Sequence, residues 1–208
     1  MSAQDAMSWL SILCLLSIFV AFPVAVEGLL ALLFGLWQRT PPGGQEVTQT
    51  SLSRRELRFA TLDDVRRDVR HLLAVGYDKA GNWSLGQACH HLAVWVRYPL
   101  DGFPALPAWQ RPLAWAIRNT VAPAYTRRVM ASGKVPSGIP APLGTAPPAT
   151  VADADGVAQY ETQLDRLRDY QGVPHCSPLL GQLNTAELKT LSCVHAAHHL
   201  SFLVPKHA

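Results

Sequence analysis

The sequence predicts an all-α fold: four principal helices in a bundle with a long Pro-rich middle connection, preceded by an apolar helix able to cross a membrane. Three observations predict it. Apolar residues recur at helical spacing in four separated stretches, and none alternates with the period of two that a half-buried strand needs. Between Ser8 and Trp37 the only charge is Glu27, which is the pattern of a bilayer-spanning segment. A chain of 208 residues can hold one domain with a full core and an appended segment.

The apolar stretch comes first. Trp9 and Trp37 bracket it, separated by roughly 42 Å on a helix, which is close to a bilayer with its headgroup regions. Asp5 precedes it and Arg39, Arg54, Arg55 and Arg58 follow, so the positive-inside rule puts the rest of the chain on the cytoplasmic side. Residues 1–37 therefore read as a single-pass membrane anchor, with 8–37 in contact with the membrane. Glu27 fits if it is protonated or if Pro23 bends the helix so that the carboxylate reaches the interface. The alternative is a cleaved signal segment, leaving a secreted or soluble domain. Against it, no Lys or Arg precedes the apolar run, and Pro23-Val24-Ala25 is a poor cleavage site.

Residues 38–56 lack periodicity at first and carry Pro41-Pro42-Gly43-Gly44, a linker composition. The domain is expected over 57–206. Its first helix starts at Thr61, because Thr61-Leu62-Asp63-Asp64 sets an acid three residues after a capping hydroxyl, and Leu62, Val65, Val69, Leu72 and Leu73 follow at helical spacing. The second starts at the capping box Ser84-Leu85-Gly86-Gln87, with Leu85, Cys89, Leu92 and Val96 as its apolar face. Between Leu106 and Met130, Pro107, Pro112 and Pro123 break a helical tendency into short pieces. Lys134 to Thr150, with five prolines, reads as a long loop fit to wall a site, together with Trp109 and Trp115. The third helix runs from about Asp153 to Gln171 on Val157, Tyr160, Leu164, Leu167 and Tyr170. The last begins near Thr185, whose hydroxyl can cap it, and stops before Pro205.

Charge and cysteine usage exclude several classes. The net charge is only +3, and the basic residues of 54–70 alternate with Glu56, Asp63, Asp64 and Asp68. That is a solvated helix face, and no nucleic-acid partner is expected. Four cysteines without paired spacing make neither a disulfide scaffold nor a zinc finger, and Cys89 and Cys193 read as small packing residues.

The chemistry lies in the histidines. His195 and His199 stand one turn apart on one face of the last helix, the spacing that lets two imidazoles share a metal ion. His198 falls on the next face. His90 and His91 lie in the second helix, and adjacent helical residues point about 100° apart, so one of the two can face the same centre. Spacing leaves that choice open. Histidines on an apolar face also occur as ordinary core residues, and an i, i+4 pair arises by chance.

Trp83-Ser84-Leu85-Gly86-Gln87-Ala88-Cys89-His90-His91-Leu92-Ala93, followed by His195-Ala196-Ala197-His198-His199-Leu200, resembles the DinB-like metal-binding four-helix superfamily. The Trp-Ser-x-Gly-Gln arrangement, Lys134 to Pro142, and His175-Cys176-Ser177-Pro178-Leu179-Leu180-Gly181-Gln182-Leu183 resemble its branch called domain of unknown function 1569, over roughly Leu57 to Lys206. The resemblance implies that His91, His195 and His199 bind a divalent metal, Zn, Ni, Mn or Fe; imidazole ligands suit Zn, Ni, Cu and Fe alike and do not choose among them. Superfamily members with known activity include thiol-dependent transferases and a mycothiol-dependent isomerase. The expectation is a metal-dependent enzyme that activates a low-molecular-weight thiol, or water, against a small electrophile. The rival is a non-catalytic, membrane-tethered helical module with a structural metal or none. Gln87, one turn before His91, is the candidate for orienting an imidazole, against its simpler role in the capping box. Related bundles often dimerise, which leaves room for a homodimer.

Overall fold

Three capping boxes start three of the helices in a computed structural model that describes residues 52–136 and 144–206. In α1 (Leu62–Val75) the Thr61 hydroxyl accepts from the Asp64 amide while the Asp64 carboxylate accepts from the Thr61 amide. In α2 (Leu85–Asp101) Ser84 and Gln87 exchange the same pair of bonds at 3.2 and 2.9 Å. Helix α3 (Arg111–Thr120) follows a short 3-10 turn at Ala108–Gln110, and α4 (Ala122–Ser132) follows α3 after a single residue. Pro112 and Pro123 occupy their first turns, where a missing N–H costs no helical bond. The prolines thus begin these helices rather than merely ending others. Helix α5 spans Asp153–Asp169 and α6 spans Thr185–Leu200.

The cap of α6 is one residue earlier than the expected Thr185. Asn184 accepts from the Glu187 amide and Glu187 accepts from the Asn184 amide, both at 2.9 Å. The Thr185 hydroxyl instead donates to the Gly172 carbonyl at 3.1 Å.

The described residues are all-α in character, with one small addition that alternation could not reveal. Strand β1 (Tyr77–Lys79) pairs antiparallel with β2 (Leu203–Pro205), joining Tyr77 to Pro205 and Lys79 to Leu203. Three residues per strand are too few to show a period of two. The ribbon ties the end of α1 to the end of α6.

Helices α1, α2, α5 and α6 pack on one another around one core. Val65, Val69, Leu72, Leu85, Leu92, Tyr160, Leu164, Leu188 and Leu200 are among its buried members. Cys89 and Cys193 belong to it too, and burial pushes the Cys193 thiol up to about 11 and the Cys89 thiol higher still. They are packing residues, as their positions on the helices predict. Arg54 and Arg55, expected in the linker, clasp the end of α6: the Arg55 amide donates to the Ser201 carbonyl, and the Arg54 guanidinium donates to the Ser201 hydroxyl and lies 3.8 Å over the Phe202 ring. Among the described residues no helix is long and apolar enough to cross a membrane; the expected span, 8–37, lies outside them.

Helices α2 and α5 approach backbone to backbone at two glycines. A Cβ on Gly156 would come within 3.0 Å of the Gly86 backbone, and one on Gly86 would come within 3.0 Å of the Val151 and Ala152 carbonyls. Asp153 caps across this crossing. Its carboxylate accepts from the Gly86 amide at 2.7 Å and from the Tyr77 hydroxyl at 2.9 Å, and that hydroxyl accepts in turn from the Leu85 amide. Replacing Gly156 with Ala forces two backbones apart in a packed core, so Gly156→Ala is expected to lose about 1–3 kcal/mol of stability in urea denaturation. Unchanged stability would mean the crossing is looser than drawn.

Candidate metal centre

Residue His91 is held by the bond its outer nitrogen makes. The ring is 2% exposed, and Nδ1 lies 2.8 Å from the Thr145 carbonyl. A carbonyl only accepts, so Nδ1 carries the ring proton and Nε2 presents its lone pair. That lone pair meets the last helix. His91 Nε2 is 3.3 Å from His195 Nε2, which is 2.9 Å from His199 Nε2.

All three ligand atoms lie within 4.8 Å of one another, and among the described residues no Asp, Glu or Cys joins the group. Metal–imidazole bonds of 2.0–2.1 Å in a tetrahedron put ligand nitrogens about 3.3–3.4 Å apart, the separation of His91 from His195 and somewhat more than that of His195 from His199. The donor set fits a divalent ion. The protonation state fits as well, because burial pushes His91 down, His195 well down and His199 to about 2, leaving three neutral rings. His195 Nδ1 is buried without a partner.

Aromatic rings frame the cluster. Trp83 stacks on His199 with centroids 5.1 Å apart and planes at 15°, and also lies 5.1 Å from His91. Trp95 packs edge-on to His195 at 4.8 Å. The expected walls, Trp109 and Trp115, are instead 70% and 63% exposed on the turn before α3 and on α3 itself. The Pro-rich segment does reach the site, through the Thr145 carbonyl.

The remaining candidates fall outside the cluster. His90 turns toward α5, with Nδ1 3.1 Å from the Gln159 side-chain oxygen. His198 packs edge-on against His199 and Phe202 on the neighbouring face. Gln87 completes its capping box and also donates to the Pro148 and Ala149 carbonyls at 3.1 and 2.9 Å. It holds the segment that holds His91. Sequence reasoning missed Thr145 because its contribution is a backbone carbonyl, which carries no residue-type signature; the length of the Pro-rich connection was the only pointer. Trp83 was legible as the residue before the Ser84 cap, though not as a ring against His199.

The match to known families decides the relationship. Residues 51–206 fit the family described as a protein of unknown function, DUF1569. The chain belongs to that family. No curated protein and no solved structure matches it. The DUF1569 region contains all three clustered histidines, Thr145 and both framing tryptophans.

The hydrogen bond to Thr145 makes a spectroscopic prediction. In nitrogen-15 NMR of the DUF1569 chain, His91 should appear as the Nδ1–H tautomer with a slowly exchanging ring proton. A proton found on Nε2 would remove the basis for a convergent site.

Proposed function

We propose that this chain is a divalent-metal-dependent enzyme of the DinB-like type, a thiol-dependent transferase that acts on a small electrophile. The observation that carries the reading is the convergence of three neutral Nε2 atoms from two helices, with His195 and His199 only partly buried. Three protein ligands, one fewer than a closed structural site uses, are the pattern of a catalytic site. A divalent ion held by these three histidines would supply Lewis acidity, drawing the pKa of a bound thiol or water toward neutrality. The ion is Zn, Ni, Mn or Fe.

The chain's own residues do the rest. His91, His195 and His199 bind, and the Thr145 carbonyl fixes the His91 tautomer so that no ring proton stands in the way. Trp83 and Trp95 cover the imidazoles and limit water around them, which strengthens every electrostatic interaction inside. No carboxylate belongs to the cluster among the described residues, so the arrangement favours a substrate that brings its own acidic proton, as a thiol does. Residues 8–37 anchor the chain in a membrane, with the domain on the cytoplasmic side.

Metal analysis of the purified chain is expected to find one divalent ion per molecule. His91→Ala and His199→Ala should each weaken retention by more than about 100-fold, beyond the loss expected for an outer-sphere change. A wild-type chain that holds no stoichiometric metal, after expression with each candidate ion supplied, sinks the proposal. Thiol transfer to an aryl halide should stop on chelation and return when metal is restored; turnover that survives chelation places the chemistry elsewhere.

A further inference from the structure

The charge of the chain is unevenly placed. Residues 102–152 contain Arg111, Arg118, Arg127, Arg128 and Lys134 and not one Asp or Glu, so this segment carries +5 while the rest of the chain carries −2. Arg111, Arg127, Arg128 and Lys134 are exposed.

The same segment concentrates exposed apolar surface. Of seven large hydrophobic residues exposed among the described residues, Trp109, Leu113, Trp115 and Val121 fall within thirteen consecutive positions, and both exposed tryptophans are among them. Ala114 is the only buried residue of α3, which packs chiefly on the preceding turn and on α4 rather than on the four core helices. Exposed tryptophan and arginine in one segment without acids complement one kind of surface: indole rings settle at the headgroup level of a bilayer, and guanidinium groups are drawn to anionic lipid. An acidic protein would supply the charge but not the apolar boundary that exposed indoles favour. The membrane anchor proposed for 8–37 would bring this segment near a bilayer.

We infer that α3 and the turn before it form a peripheral docking face for an anionic lipid surface, inserting Trp109 and Trp115 at the headgroup boundary while Arg111, Arg127 and Arg128 contact the lipid charge. This face is separate from the histidine cluster and stands whether or not that cluster holds a metal. It makes α3 a second membrane contact, controlled by lipid charge rather than by apolar length.

The test is hydrogen exchange of the full chain mixed with phosphatidylcholine vesicles, with and without phosphatidylglycerol. Amides of 108–121 should exchange roughly tenfold more slowly only when phosphatidylglycerol is present, and the slowing should vanish near 1 M salt, where screening falls to about 3 Å. The Trp109→Ser, Trp115→Ser double variant should lose the slowing while α2 and α5 keep their protection, which shows that the fold survives. If the variant does not fold, the wild-type comparison between the two lipids decides alone. Equal exchange on both lipids overturns the inference. So does protection that needs no lipid and rises with protein concentration, which would assign the face to a second copy of the chain.

Discussion

The contact of Gly86 with Gly156 and with the backbone at Val151 and Ala152 is the constraint on which the histidine geometry rests. Side chains at either glycine would separate α2 from α5 and from the end of the Pro-rich segment. With both absent, Asp153 reaches the first turn of α2, and Gln87 reaches the Pro148 and Ala149 carbonyls. The segment is then pinned along α2 just upstream of His91. Only with that segment in place does the Thr145 carbonyl stand 2.8 Å from His91 Nδ1. A packing decision at two glycines thus becomes a proton position at one nitrogen, through a carbonyl 54 residues from His91 in the chain.

Burial and convergence pull the cluster in one direction. Taking three imidazoles out of water disfavours their charged forms, and the lowered pKa values of His91, His195 and His199 follow from that first. The two close Nε2 pairs, His91 with His195 at 3.3 Å and His195 with His199 at 2.9 Å, share too few protons for both to be satisfied, since His91 has already committed its proton to Thr145. His195 Nδ1 is left without a partner as well, and a buried unsatisfied polar atom costs about 1–3 kcal/mol. The packing of Trp83 and Trp95, each aromatic pair contributing about 0.5–1.5 kcal/mol, helps hold this arrangement. Such an arrangement trades stability for a set of aimed lone pairs, which is the usual sign of a functional rather than a structural cluster.

Local signals in the sequence were sufficient wherever the physics was local. Thr61 with Asp64 and Ser84 with Gln87 are reciprocal bonds between residues three apart, and the inward stripes Val65-Val69-Leu72 and Val157-Tyr160-Leu164-Leu167 repeat within a single helix. The pairing of His195 with His199 is equally local. At α6 the reading slipped by one residue, because Asn184 and Thr185 are both able to cap and only Asn184 has Glu187 three residues on. What escaped was long-range: the three-residue ribbon between Tyr77–Lys79 and Leu203–Pro205, the Thr145 carbonyl, and the choice of Trp83 and Trp95 over Trp109 and Trp115. Spacing could not separate His90 from His91, since that depends on which face of α2 meets α6 and which meets Gln159 on α5.

Acidic residues explain why the two sides of the domain differ. Asp64, Asp153 and Glu187 cap helices. Asp68 pairs with Arg55, Glu161 with Arg70, Asp101 with Arg166, and Asp165 with Arg66 and Arg168. Exposed pairs of this kind are individually worth about 0–1 kcal/mol, so their arrangement matters more for where negative charge sits than for stability. Much of it sits on the bundle helices α1, α2, α5 and α6, where these carboxylates face a cation or an amide. None is left over for 102–152. The net charge of +3 is therefore the sum of a bundle whose own charges cancel, an uncompensated +5 at 102–152 and −2 in residues 1–51, and within the domain a partner that responds to net charge meets the basic segment.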